Sequence, residues 1–132
     1  MDKVIVDTSA WIESLRPDGD KGLADFVRQL IIGGQILLPG IIKAEILRGT
    51  RTSQEYDDLS DMLKGLRYLP VQESFWDRLS RFSYDLFRKG ISIPLTDSYI
   101  ALLCIENDTP IVHRDRHFDL IAAETTLKII NP

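Results

Sequence analysis

The chain has 132 residues, 44% of them hydrophobic, a length expected of one domain with a real core. With 16 basic and 20 acidic side chains the net charge is −4, so any contact with nucleic acid must rest on local cations. A single cysteine, Cys104, excludes an internal disulfide and fits a reducing cytoplasm; no apolar run approaches the ~20 residues of a membrane span, and Asp7 interrupts the first apolar run where a secretory leader would continue.

Lys3–Val6 is a short β-branched run that ends on Asp7. Thr8 and Ser9 follow, then an apolar helical pattern at Trp11, Ile12 and Leu15, which together read as strand, capping turn and helix. Gly19–Ile32 has helical spacing at Leu23, Phe26, Val27, Leu30 and Ile31, and Gly33-Gly34 stops it. Gln35–Leu38 is a strand ended by Pro39. Ile41, Ile42, Ala44, Ile46 and Leu47 form an apolar helix that ends near Gly49. Ser53–Leu66 is a polar helix with Ser53 as its expected N-cap. Arg67–Val71 is a short third strand.

Glu73–Lys89 is the longest amphipathic segment, stopped by Gly90. Its stripe of Phe75, Trp76, Leu79, Phe82, Leu86 and Phe87 is read as core or dimer packing rather than a cofactor box. Trp76, Leu79, Phe82 and Leu86 are expected to close a homodimer or to hold a protein partner. Thr96 is the expected N-cap of an apolar helix from Asp97 to about Glu106, where Cys104 reads as core. A turn at Asn107–Pro110 leads to a strand, Ile111–His113, a short helix, Asp115–Glu124, and a last strand, Leu127–Ile130. Alternating strands and helices argue for an α/β fold, a parallel sheet with helices on both faces.

Most acids fall on polar helix faces, where solvation explains them. Four do not. Asp7 ends the first strand, Glu45 sits inside an apolar helix, Asp97 opens another, and Asp115 follows a strand. Strand ends and helix starts converge on one edge of a parallel sheet, so these carboxylates are expected to meet. Buried carboxylates need partners, and no Lys or Arg is matched to all four, which points to a divalent cation, Mg²⁺ or Mn²⁺. Capping is the competing explanation for Asp97, and an exposed helix edge for Glu45. The residues leave other Mg²⁺-dependent phosphohydrolases and a non-catalytic binding module open. Aspartyl-phosphate chemistry would want a second acid where Ser9 stands.

In the runs VIVDTSAWI around Asp7, AEILRG around Glu45, TDSYIALL around Asp97 and VHRDRHFDLI around Asp115, the chain resembles a PIN domain, and within that group the VapC-type toxins of toxin–antitoxin pairs. The resemblance implies a single PIN domain over residues 1–132, folded as a Rossmann-like three-layer α/β/α sandwich with a central parallel β-sheet. It implies a cytoplasmic, Mg²⁺- or Mn²⁺-dependent endoribonuclease. A VapB-like antitoxin would occlude the site, operator DNA would be reached only through it, and the toxin would be a homodimer.

Asp7, Asp97 and Asp115 would hold the metal, directly or through water. Glu45 would bind the metal or, as the favoured role, orient the attacking water, and Thr8 or Ser9 would hold Asp7 or a metal-bound water by a hydrogen bond. Arg48, Arg51, Arg114 and Arg116, beside the motifs, are the candidate RNA contacts. The chain departs from the family at His113, where Thr or Ser is usual, and at His117, where another acid is usual. His117 reads as an exposed or helix-end residue, with metal ligation as the alternative. Asp119 is a further candidate one helical turn on.

Overall fold

The computed structural model describes residues 2–132. Along the chain these form β1 (Val4–Val6), α1 (Thr8–Leu15), α2 (Lys21–Ile32), β2 (Ile36–Pro39), α3 (Gly40–Arg48) and α4 (Ser53–Lys64). There follow β3 (Arg67–Leu69), α5 (Phe75–Arg88), α6 (Leu95–Glu106), β4 (Ile111–Val112) and α7 (Arg116–Glu124). The strands make one all-parallel sheet in the order β3-β2-β1-β4.

β1, β2 and β4 are buried along their whole length, as expected of parallel strands covered on both faces. Ile5 at the centre lies opposite Leu37 on one side and Ile111 on the other. The chain builds outward from β1 through β2 to β3, then returns to lay β4 against the free side of β1. At such a reversal the two neighbouring connections leave in opposite directions, and a crevice opens beyond the carboxyl ends of the strands. Asp7 and Asp115 follow the two strands that flank this reversal.

The helices fall into two packed groups, which with the sheet give the three-layer α/β/α sandwich. α1 packs on α2 and α3, and α3 on α4; α6 packs on α5 and α7. Residues Ile100–Cys104 of α6 are all buried, so that helix is apolar all round rather than striped. Cys104 belongs to this core, and burial pushes its thiol far above the ordinary range.

Several local expectations are corrected. Thr52, not Ser53, caps α4: its hydroxyl accepts the Glu55 N–H at 3.0 Å from an extended backbone. Thr52→Ala is therefore expected to cost about 1 kcal/mol, and Ser53→Ala only a few tenths. Urea titration of both variants checks this. Thr96 is not a cap either; α6 begins two residues before Asp97, after Pro94, and has no side-chain cap.

Leu127–Ile130 is not a strand but a single parallel bridge, Ile111 to Ile129. β4 is only two residues long, so Ile111 alone supplies groups to that edge, bonding Lys128 and Ile130. In α5, Leu79 and Leu86 lie in the chain's own core beside Phe75 and so form no interface; Trp76 and Phe87 are the exposed members of the stripe.

Candidate active site

Asp7 occupies the turn between β1 and α1 and caps the helix. Its Oδ2 accepts both the backbone N–H of Ser9, at 3.0 Å, and the Ser9 hydroxyl. The residue is only 4% exposed. Burial raises its pKa above the ordinary carboxylate value, the negative charge of Asp97 adds to the rise, and the Ser9 hydrogen bonds hold it back.

The same Ser9 Oγ accepts the backbone N–H of Arg114 at 3.0 Å. One hydroxyl thus fastens the β1–α1 turn to the β4–α7 loop. Ser9→Ala removes an O–H that favours the ionised carboxylate, so the Asp7 pKa is expected to rise further. A ¹³C NMR titration of the Asp7 carboxyl carbon reads this directly, and an unmoved titration would mean the hydroxyl does not stabilise the charge.

Glu45 projects from the middle of α3. The Thr8 hydroxyl donates to its Oε1 at 2.8 Å, so Thr8 positions Glu45 while Ser9 positions Asp7. Glu45 is half-buried and close enough for its charge to raise the pKa of Asp97. It is not an exposed helix-edge acid.

Asp97 lies in the first turn of α6 without capping it; its Oδ2 is 2.8 Å from His117 Nδ1. Burial is the main cause of its raised pKa, with Asp115 and Glu45 adding to it and His117 opposing. Asp115 caps α7, its Oδ1 accepting the His117 N–H at 3.0 Å. His113 is buried under this loop. Its Nδ1 accepts the Asp115 N–H at 3.0 Å, which assigns the ring proton to Nε2, and Nε2–H then donates to Asp119 Oδ1 at 3.2 Å. His113 holds the backbone of Asp115, and Asp119 holds His113.

His117 is the residue that sequence reasoning undervalued. It is neither exposed nor merely at a helix end: its ring enters the acidic site, with Nδ1 also 3.2 Å from Asp115 Oδ1. The signal was an Asp N-cap with a histidine two residues later, since that histidine's own N–H bonds the cap and its ring starts beside the carboxylate. Among the described residues, the ligand atoms of Asp97, Asp115 and His117 form the group that lies within 4.8 Å of one another.

Apart from His117, no basic side chain makes an ion pair with Asp7, Glu45, Asp97 or Asp115 among the described residues. Negative charge therefore gathers at a partly buried edge, and two of the carboxyls resist ionisation because of it. This donor set fits a divalent cation that prefers carboxylate oxygen.

Of the four candidate arginines, Arg114 is engaged, donating to the His113 carbonyl at 3.1 Å and reaching Asp20 at 3.4 Å. Arg48, Arg51 and Arg116 are exposed and form no ion pair among the described residues. A separate open groove of about 510 Å³ runs beside α1, α3 and α4, lined by Ile12, Leu15, Ile46, Arg51 and Leu59.

The sequence matches the family described as PIN domain over residues 4–124. It is 33% identical over 129 residues to Ribonuclease VapC11 of Mycobacterium tuberculosis, covering 95% of this chain and 96% of that one. It is 30% identical over 124 residues to Ribonuclease VapC18 of the same organism, covering 91% and 88%. Among solved structures it is similar in fold to FitAcB from Neisseria gonorrhoeae, with a TM-score of 0.77 at 22% identity over 98% of this chain and 97% of the other. It is likewise similar to VapBC2 from Rickettsia felis bound to a DNA fragment from its promoter, with a TM-score of 0.78 at 16% identity over 98% of both.

Proposed function

This chain belongs to the PIN domain family, and from that premise we propose that it is a Mg²⁺- or Mn²⁺-dependent endoribonuclease, the toxin of a VapBC-like toxin–antitoxin pair. The observation that carries the reading is the meeting of Asp7, Glu45, Asp97 and Asp115 beyond the carboxyl ends of β1 and β4, without a Lys or Arg counter-ion. The resemblance to chains named VapC ribonucleases, at 30% identity or more over nearly the full length, supports the choice of RNA as substrate.

Asp7, Asp97 and Asp115 would hold the cation, and the chemistry available there would be positive charge for the phosphoryl oxygens and a water acidified toward neutral pH. Ser9 opposes the burial that resists ionisation of Asp7 and aims its carboxylate, and His113 keeps the Asp115 loop in place. Glu45, held by Thr8, orients the attacking water. Attack by water rather than by a ribose hydroxyl leaves a 5′-phosphate and a free 3′-OH. Arg48, Arg51 and Arg116 contact the phosphates of single-stranded or loop RNA, whose backbone can enter a narrow metal cleft.

The whole of residues 1–132 acts as one PIN domain, in the cytoplasm, as a homodimer. A VapB-like antitoxin covers the site and the apolar groove at Ile12, Leu15 and Leu59, and operator DNA is reached only through that antitoxin. The test is incubation of the purified chain with structured RNA, with and without Mn²⁺, Mg²⁺ and a chelator. Cleavage that depends on the metal and leaves 5′-phosphate ends is expected. Intact RNA under every metal condition rejects the enzyme reading.

A further inference from the structure

We propose that His117 Nδ1 is a direct ligand of the cation beside Asp97 and Asp115, making a mixed nitrogen–oxygen centre that selects Mn²⁺ over Mg²⁺. This rests on the metal-dependent reading given above and specifies the metal chemistry of that same site.

The geometry is that of donor atoms waiting for an ion. Nδ1 is 2.8 Å from one carboxylate oxygen and 3.2 Å from another, carried by two different helices and their approach loops. Adjacent ligands on an octahedral ion with bonds of about 2.1 Å sit about 3 Å apart. The two distances fall on either side of that value. The ligand atoms of the full trio lie within 4.8 Å of one another.

The ring is also held in advance. Its own backbone N–H is fixed by the Asp115 cap, so turning the imidazole away would cost the start of α7 nothing but would leave two carboxylates facing each other. Nε2 makes no protein hydrogen bond among the described residues, and the side chain is 29% exposed, so that nitrogen can carry the ring proton in water. Nδ1 then presents a lone pair to the ion.

The consequence for selectivity is chemical. Mg²⁺ strongly favours oxygen ligands and keeps its waters. Imidazole nitrogen suits first-row transition ions better than Mg²⁺, and Mn²⁺ also accepts a carboxylate-rich, water-containing sphere. The competing account makes His117 an imidazolium counter-ion that occupies the cation's place itself. In that case ring and metal exclude each other.

The untagged full-length chain, loaded with Mn²⁺, is examined by electron spin echo envelope modulation. Nitrogen modulation from a coordinated imidazole is expected, lost in His117→Gln and kept in His113→Gln. In competition, Mg²⁺ should displace Mn²⁺ at least about ten-fold more readily from His117→Asp than from the parent chain, because an oxygen replaces the nitrogen. Circular dichroism confirms that each variant is folded. Bound Mn²⁺ without nitrogen modulation in the parent chain overturns the ligand assignment and leaves the nuclease reading standing. A chain that binds neither Mn²⁺ nor Mg²⁺ overturns both.

Discussion

Purified Asp97→Asn protein is expected to lose RNA cleavage by about three orders of magnitude while keeping the parent circular dichroism spectrum. The size follows from what the carboxylate does. It is the member of the cluster that meets all the others: its pKa responds to Asp115, Glu45 and His117, and its charge in turn raises that of Asp7. An amide in its place keeps the shape, removes one negative charge from the cation site, and offers a weaker ligand. Asp7→Asn and Glu45→Gln are expected to fall similarly, the first through the cation and the second through the water. Capping does not compete as an explanation at Asp97, because α6 has no side-chain cap for the substitution to destroy. A cleavage gel on end-labelled RNA measures the effect. Full activity in any one variant removes that residue from the mechanism.

The same charges set the stability of the metal-free protein. Asp7 has a folded-state pKa above its unfolded value, because it is buried and faces Asp97. Below the unfolded pKa both states hold the proton and there is no penalty. As pH rises from the unfolded to the folded value, the unfolded chain ionises first, so stability falls across that interval and stays reduced at neutral pH. Under the proposed function Mn²⁺ would bind only the folded site and restore about 2.7 kcal/mol at a hundred-fold excess over its Kd. Asp7→Asn removes the charge but retains an oxygen to accept from Ser9 and cap α1. Without metal it is expected to be more stable than the parent by about 1 kcal/mol, roughly 3–6 °C in Tm, and to lose the Mn²⁺-induced shift. Thermal melts at pH 7 with and without Mn²⁺ decide this. A parent melt unmoved by Mn²⁺, with an earlier melt for the variant, would make Asp7 a plain cap.

The frame of the fold was legible because its signals are strong and local. β-branched runs ending in Asp, and helices stopped by Gly-Gly or Gly90, are read from neighbours in sequence; Gly34 and Gly90 have φ of +63° and +83°, which few other residues adopt. The parallel-sheet rule placed Asp7, Asp97 and Asp115 toward one edge, and Glu45 was added from its own helix. What failed depended on partners distant in the chain or on one-residue differences. Nothing in Leu127–Ile130 reveals that β4 is too short to pair with a full strand. Thr52 and Ser53 are both good caps, and only backbone geometry chooses between them. The apolar stripe of α5 looked like surplus because the core that buries Leu79 and Leu86 is invisible from the helix itself. His117 looked peripheral because its partner Asp97 is 20 residues away.

The central strand β1 is made first on the ribosome, yet its neighbour β4 and the Arg114 amide that grips Ser9 come from near the opposite end of the chain. No partial product holding only β1, β2 and β3 contains Asp97, Asp115 or His117. Contacts between such distant segments form late in folding, because the intervening chain must be ordered first. A growing chain that holds only the first three strands therefore lacks three of the five side chains of the site, Asp97, Asp115 and His117.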